Sequence, residues 1–266
     1  MSDAAAATEI IKSRNKLGSA ETAIVLGRHF SSVAELLDKA IAIPYGDLPK
    51  FPAEQVPGGE AIIGAIDGAP VLVLKGRPEF HETGDPSLMG GAFETLGLLG
   101  VRSIFSLGFV TSANAQINPG NLVAVSDHID FKGLNPLIGA SGDKNSFNLN
   151  DAYDKRLLRR LRSAASAAGV GLQEGVLIWF SGPSFETPAE VKAARALGAD
   201  VLGFSLAPEA ILARRYGVPF AGVAVVTDFA AGFLGGYPIA DYGRSHVVAG
   251  LVAARRLVRA FAKTRG

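Results

Sequence analysis

The sequence contains no cysteine, which excludes disulfide bridges and any thiolate nucleophile or ligand. Histidine is scarce as well: His29, His81, His128 and His246 are scattered without metal-ligand spacing, so no resident metal or other cofactor is expected. Charge of one sign is missing, because 26 Lys and Arg stand against 25 Asp and Glu for a net +1. With no basic cluster interleaved with aromatics, the electrostatic footprint of a nucleic-acid binder is absent. Apolar runs fall short of the ~18 residues that a bilayer span needs. The first residues, Met1-Ser-Asp-Ala-Ala-Ala-Ala7, lack the basic stretch and apolar core of a secretory signal. A cytoplasmic protein with neither membrane nor nucleic-acid partners is the expectation. No linker or charge block divides the chain, so residues 1–266 read as a single domain, with 1–20 as an N-terminal helical extension.

What the sequence does contain is alternation. Apolar, β-branched runs predict strands at Thr22–Leu26, Ala61–Ile66, Val71–Leu74, Ser103–Leu107, Leu122–Val125, Val176–Phe180, Val201–Phe204 and Phe220–Val226. Helical periodicity fills Ser31–Ala40, Pro86–Leu99, Asp154–Ala168, Pro188–Leu197, Pro208–Tyr216 and His246–Lys263. Strand-then-helix order means an α/β fold. Asp67-Gly68 signals a tight hairpin between the second and third strands, which makes the central sheet mixed rather than all parallel. Thr187, Pro188 and Glu190 form a capping-box signature, which places Ser181–Glu186 on a strand-to-helix loop.

Ligands of open α/β sheets bind beyond the carboxyl ends of strands. The segments that follow the strands here are Gly27-Arg-His-Phe30, Gly76-Arg-Pro-Glu-Phe-His-Glu82, Gly108-Phe-Val-Thr-Ser112, Ser181-Gly-Pro-Ser-Phe-Glu-Thr187, Ser205 and Thr227-Asp228. Arginines, hydroxyls and glycine-exposed amides suit an anion, while Phe185 and Phe204 offer faces to a flat ring. Each residue also has a plainer reading. Glu186 precedes a helix N-terminus that favours any carboxylate, Asp228 suits a loop cap, His246 suits a helix start, and the phenylalanines suit a core.

The run Gly182-Pro-Ser-Phe-Glu-Thr187 is followed by Gly198-Ala-Asp-Val-Leu-Gly-Phe-Ser205, Pro208-Glu209, Val226-Thr-Asp228 and Ala230-Ala-Gly232. Together with Ser126-Asp-His-Ile-Asp130, Asn135-Pro-Leu-Ile-Gly139, Asp151-Ala-Tyr-Asp154 and Ser245-His246, this series resembles the trimeric purine nucleoside phosphorylases. The superfamily also holds methylthioadenosine phosphorylases. The resemblance runs from about Thr22 to the last helix, and it implies reversible phosphorolysis of purine nucleosides to free base and ribose 1-phosphate, with inorganic phosphate as co-substrate. It implies that Glu186 hydrogen-bonds the purine, that Phe185 packs on it, and that Phe204 lies under the ribose in place of a methionine. Thr227 and Asp228 face the imidazole and six-position side, and His246 reaches the ribose 5′-hydroxyl. Asp228, Glu186 and His246 are thus the catalytic candidates, with His81 joining the purine and ribose set. Arg28, Arg77, Ser205 and Phe109 are the phosphate-binding candidates. Phe147 enters the neighbouring subunit's site, so the implied assembly is a homotrimer. Where 6-oxopurine enzymes of the family carry asparagine, this chain has Asp228, which points toward 6-aminopurines, since a carboxylate accepts from an amine.

The phosphate loops depart from the pattern. Arg28 replaces a phosphate-binding serine, Glu79 replaces a histidine, and Phe109-Val110 replace small residues. Arg28 either pairs with Glu79 or turns into the anion site. Three functions fit these departures: a phosphorylase with a remodelled phosphate site, a hydrolase or phosphorylase for a modified nucleoside such as methylthioadenosine, and a catalytically degenerate nucleoside-binding protein.

Overall fold

The computed structural model describes residues 2–15, 18, 20–139 and 147–264. Helix α1 (Asp3–Arg14) starts where the Ser2 side chain accepts from the Ala5 amide, and it leads to β1 (Thr22–Leu26). A 3-10 helix (Arg28–Leu36) precedes β2 (Asp38–Pro44), β3 (Glu60–Ile66) and β4 (Ala69–Lys75). Next come the short α2 (Phe80–Thr83), α3 (Gly90–Leu98), β5 (Ser103–Ser112), β6 (Leu122–Asp130) and α4 (Lys155–Ala168). The last stretch is β7 (Leu172–Trp179), α5 (Pro188–Ala196), β8 (Val201–Gly203), α6 (Ala207–Arg215), β9 (Phe220–Phe229) and α7 (Ser245–Lys263).

Among the described residues nine strands join one sheet in the order β2-β3-β4-β1-β5-β8-β7-β6-β9. Strand β9 returns to pair with β5, so β5, β8, β7, β6 and β9 close on themselves as a barrel and the other strands extend from its β5 seam. The sheet is mixed, as the hairpin signal implies. Strands β4, β1, β5 and β9 run parallel, whereas β3 opposes β4, β8 opposes β5, and β6 opposes β9. At the β3–β4 turn, Asp67 and Gly68 have φ of 49° and 84°, the positive values that a two-residue turn between twisted strands requires. Arg259 and Lys263 of α7 both bind the Asp67 carboxylate and tie the hairpin to the C-terminal helix.

Strand alternation sends side chains to two layers. Ile104 of β5 joins the α3 side with Phe93 and Leu96, while its neighbour Phe105 joins the α7 side, its ring 5.1 Å from that of Phe261. On the α3 side, α1 adds Ala7 and Ile11 to the same core.

One predicted element is wrong. The helix expected at Ser31–Ala40 ends at Leu36 as a 3-10 helix, and the chain turns into edge strand β2. Lys39 takes a left-handed φ of 53° at a register shift, which breaks helical continuation, and Ile41–Pro44 then pair with Glu60–Ile63. Pairing with β3 here overrides local helical periodicity. Strands β5 and β9 also run past their predicted ends to Ser112 and Phe229, and those extra residues build the site.

The turn just beyond β9 is closed by hydrogen bonds from Gly232 N to the Gly236 carbonyl (3.0 Å) and from Gly236 N to the Phe233 carbonyl (2.8 Å). A Cβ on Gly236 would lie 2.3 Å from the Ala230 carbonyl oxygen and 2.4 Å from that of Phe229, both backbone atoms. Gly236→Ala is therefore expected to destabilise the protein by about 2 kcal/mol, the scale of local backbone strain. A shift in the denaturant midpoint measures it, and an unchanged midpoint would contradict this account of the turn.

Candidate active site

Strand register assembles the site. Leu26 lies opposite Lys75 of β4 and Leu107 of β5, so Gly27, Gly76-Arg77 and Gly108 emerge together at one edge. Two residues further along β5, Val110 lies opposite Gly203 of β8 and Val226 of β9, which adds Phe204, Ser205 and Thr227. The β5–β9 pairing then shifts, with Thr111 opposite Asp228, leaving Thr227 as the extra residue of a bulge. Its hydroxyl donates to the Val110 carbonyl (3.3 Å), and its own carbonyl lies 2.8 Å from Nε2 of His246. The expected capping box forms at α5: Thr187 Oγ1 accepts from Glu190 N (3.2 Å) and Glu190 Oε2 accepts from Thr187 N (2.8 Å). That cap fixes the end of the Ser181–Glu186 loop and turns Glu186 into the same cleft.

The cleft has a volume of about 280 Å³. One end is apolar and aromatic. Phe185 and Phe204 lie 6.0 Å apart between ring centres, and His81 meets Phe204 edge-on at 5.9 Å. Trp179 Nε1 donates to the Phe204 carbonyl (3.0 Å), which anchors the backbone there. Glu186 is buried among these groups with 5% exposure, and its Oε1 has no hydrogen-bond partner among the described residues. Thr111 Oγ1, also in the cleft wall, is likewise buried and unpartnered. Buried polar atoms are rarely left unpaired, which makes these two oxygens of the cleft wall candidates to pair with a ligand's polar edge. Burial pushes the Glu186 carboxyl up to about 7, against an opposing backbone hydrogen bond and with help from Glu190.

The other end is ionic. Arg77 is buried, and its Nη1 donates to Ser106 Oγ (3.2 Å) and to the Leu107 carbonyl (2.8 Å). Nε and Nη2 both donate to Glu79 Oε1, at 3.3 and 3.2 Å. Glu209 of α6, as buried as the arginine, places Oε1 2.8 Å from Nη1. That contact is an ion pair without a hydrogen bond, since both Nη1 hydrogens are already directed elsewhere. Burial works against the Arg77 charge, but Glu209 and Glu79 outweigh it and raise its pKa. Burial likewise pushes the Glu79 carboxyl up, beyond what Arg77 offsets. Arg28 pairs with Glu82, whose second oxygen accepts from Glu79 N (3.2 Å). Of the two arrangements open to Arg28, the structure adopts neither: Glu79 has gone to Arg77, and Arg28 has its own carboxylate. Gly108 packs tightly here, because a Cβ on it would lie 2.8 Å from Ser205 Oγ and 3.4 Å from Nη2 of Arg77.

Residues 21–262 match the family model of the phosphorylase superfamily. The chain is 34% identical over 221 residues to purine nucleoside phosphorylase 1 of Geobacillus stearothermophilus, an alignment covering 81% of each protein. It belongs to the purine nucleoside phosphorylase family. Two solved structures agree over nearly the whole chain. A Schistosoma purine nucleoside phosphorylase in complex with hypoxanthine superposes with a TM-score of 0.87 at 25% identity, covering 99% of this chain and 98% of that one. The Schistosoma mansoni enzyme in complex with adenosine gives 0.84 at 26%, covering 97% and 94%.

Of the residues singled out from the purine nucleoside phosphorylase resemblance, Arg28, Arg77, His81, Phe109, Phe185, Glu186, Phe204, Ser205 and Thr227 line the one cleft. Three others stand apart from its walls. Asp228 is turned away by Arg244, whose two Nη atoms meet its two carboxylate oxygens at 2.5 Å each. His246 contacts the cleft through the Thr227 carbonyl. Phe147 is partly buried elsewhere, at the edge of the described residues. Sequence reasoning missed Tyr242 and Ile239, which the loop before α7 lays over the cleft, and it gave Glu209 and Thr111 no role. Tyr242 stacks on both His29 (4.1 Å) and Phe109 (4.6 Å). A lone tyrosine in an aperiodic Gly- and Pro-containing loop carries no such signal. Among the described residues no group of three or more His, Asp or Glu side chains is placed to hold a metal ion, and no helix is long and apolar enough to cross a membrane.

The Glu186 carboxyl binds its proton more tightly in the folded than in the unfolded chain. Its contribution to stability is thus full below the ordinary carboxylate range and is lost as pH rises through about 7. Glu186→Gln should therefore gain stability relative to the native chain between pH 4 and pH 8, by on the order of 3 kcal/mol. Denaturant titrations at the two pH values test this, and a difference that does not vary with pH would contradict it.

Proposed function

We propose that the chain is a purine-nucleoside phosphorylase, a pentosyltransferase that cleaves the C1′–N9 bond of purine nucleosides to give free base and ribose 1-phosphate. The observation that carries this reading is the buried, unpartnered carboxylate oxygen of Glu186 facing a cleft walled by Phe185 and Phe204. A purine fills such a space with its faces against the rings and its polar edge on the acid. Relatives bearing this activity's name, and solved relatives bound to hypoxanthine and to adenosine, support it.

The reaction places positive charge on the ribose and negative charge on the departing purine. Glu186 holds the base in line, and donors on the imidazole side take up the negative charge as it develops. Thr227 faces the cleft as folded, whereas Asp228 reaches a bound purine only on release from Arg244. His246, held at the Thr227 carbonyl, and His81 are assigned to the sugar. For the co-substrate, Arg77, Ser205 and the Gly108 loop form the phosphate end, beside Arg28 and Phe109. Phosphate there takes the place of the Glu79 carboxylate on Arg77, so the remodelled loop makes phosphate compete with an internal anion. No further cofactor enters this scheme. The same reading makes the working unit a cytoplasmic homotrimer in which Phe147 serves a neighbouring site. The exposure of Phe131, Ile138 and Leu149 on the flanking segments supports an interface there.

The test is base release from inosine, guanosine, adenosine and methylthioadenosine in phosphate, with ribose 1-phosphate or its methylthio analogue as the expected second product. Glu186→Ala should lower kcat/KM by on the order of 100-fold, the worth of a charged hydrogen bond in a dry site. Purine-edge chemistry also sets a pH signature. Ionised Glu186 accepts from the N1–H of a 6-oxopurine, whereas the protonated acid donates to the bare N1 of a 6-aminopurine. The ratio of kcat/KM for adenosine to that for inosine should therefore rise as pH falls through about 7. A ratio indifferent to pH would overturn the assignment of Glu186 to that edge.

A further inference from the structure

The ionic end of the cleft departs from what a phosphate dianion needs. Binding an anion calls for cations with donors to spare, yet four of the five N–H donors of Arg77 are already given, two from Nη1 to Ser106 and Leu107 and one each from Nε and Nη2 to Glu79. Two carboxylates, Glu79 and Glu209, flank its single charge. Arg28, the other cation in the cleft wall, is neutralised by Glu82. Counting these five side chains as ionised, the end of the cleft carries two positive and three negative charges, so it repels a free dianion. Two of the three carboxylates, Glu79 and Glu82, line the cleft, with side chains 24% and 28% exposed, whereas Glu209 is 4% exposed and outside the cleft wall. Glu82 is taken up by Arg28, and Glu79 is the one that Arg77 holds in the cleft wall. A carboxylate held at the nucleophile's position, partly open to solvent and fixed by an arginine, is suited to a neutral nucleophile that must lose a proton.

We propose that this cleft also hydrolyses purine nucleosides, with Glu79 as the general base for an attacking water when phosphate is absent. The inference rests on reading the cleft as a nucleoside site with its nucleophile end at Arg77. The water oxygen forms a bond to C1′ while one of its protons passes to the Glu79 carboxylate. The C1′–N9 bond breaks, and its electron pair leaves with the purine. The proton on Glu79 is then returned, through solvent, to the purine anion, so the products are free base and ribose and Glu79 is restored. Arg77 and Glu209 have distinct parts: Arg77 fixes the orientation of the base, and Glu209 offsets the charge that would otherwise leave Arg77 free for phosphate. Burial, which already lifts the Glu79 carboxyl, brings it nearer to the operating range of a general base.

The experiment is nucleoside cleavage by the full chain in phosphate-scavenged buffer made with ¹⁸O-water, compared with the same reaction in phosphate. The expected result is continued base release without phosphate, with free ribose bearing one ¹⁸O at C1. In Glu79→Gln, the ratio of free ribose to ribose 1-phosphate at fixed phosphate should fall on the order of 100-fold, the low end of what a positioned general base contributes. Calorimetric binding of hypoxanthine to the variant shows that its cleft is intact. Cleavage that requires phosphate overturns the hydrolytic inference and leaves the phosphorylase reading standing. An unchanged product ratio in Glu79→Gln overturns the role of Glu79. Absence of cleavage in both buffers overturns the inference together with the reading on which it rests.

Discussion

A buried guanidinium organises this protein. Arg77 is held almost entirely out of water, a situation tolerable only if its donors are satisfied and its charge is met. The partners that meet those demands come from three places: Ser106 and Leu107 on β5, Glu79 at the start of α2, and Glu209 on α6. Arg77 therefore fastens the parallel strands to the helix that follows β8, and it fixes the floor on which Gly27, Gly108 and Ser205 converge. Removing one partner from such a group leaves an uncompensated charge, which typically costs about 3–5 kcal/mol. Stability and site geometry are consequently the same constraint here.

The same economy of charge runs around the rim. Arg28 has Glu82, and just outside the cleft Asp228 has Arg244. Glu186 has no such partner. It is buried beside aromatic rings with an oxygen unmet, and its pKa rises to about 7 in consequence. The two ends of one cleft thus differ in kind: the aromatic end keeps a buried carboxyl oxygen without a partner, while the ionic end has already made its own pairings. The first arrangement follows from the capped loop that turns Glu186 in beside Phe185 and Phe204. The second follows from Glu79 and Arg28, which stand where the family resemblance implies histidine and serine.

Much of the fold was legible because its signals are local and periodic. The Asp67-Gly68 turn, the Thr187-Pro188-Glu190 cap and the eight apolar runs each carry their physical cause within a few residues. Strand β2 was not legible, since its identity depends on pairing with β3 rather than on its own pattern. Arg77, Glu186, Phe204, Ser205 and Thr227, which the resemblance groups, line one cleft. Pairings were beyond the resemblance. Glu79 stands only two residues from Arg77, but what keeps it from Arg28 is the pairing of Arg28 with Glu82, 54 residues away in sequence, and Arg244 stands 16 residues from the Asp228 it restrains. Tyr242 escaped notice for the same reason, because only the path of the loop after β9 brings it against Phe109 and His29.

The most direct test of this account is a crystal structure of the hypoxanthine complex grown without phosphate. The expected result is a purine between Phe185 and Phe204, its polar edge on Glu186, with Glu79 and Glu209 still flanking Arg77. A purine that leaves the Glu186 carboxylate unpaired, or an Arg77 parted from Glu79 with no anion to replace it, would contradict it.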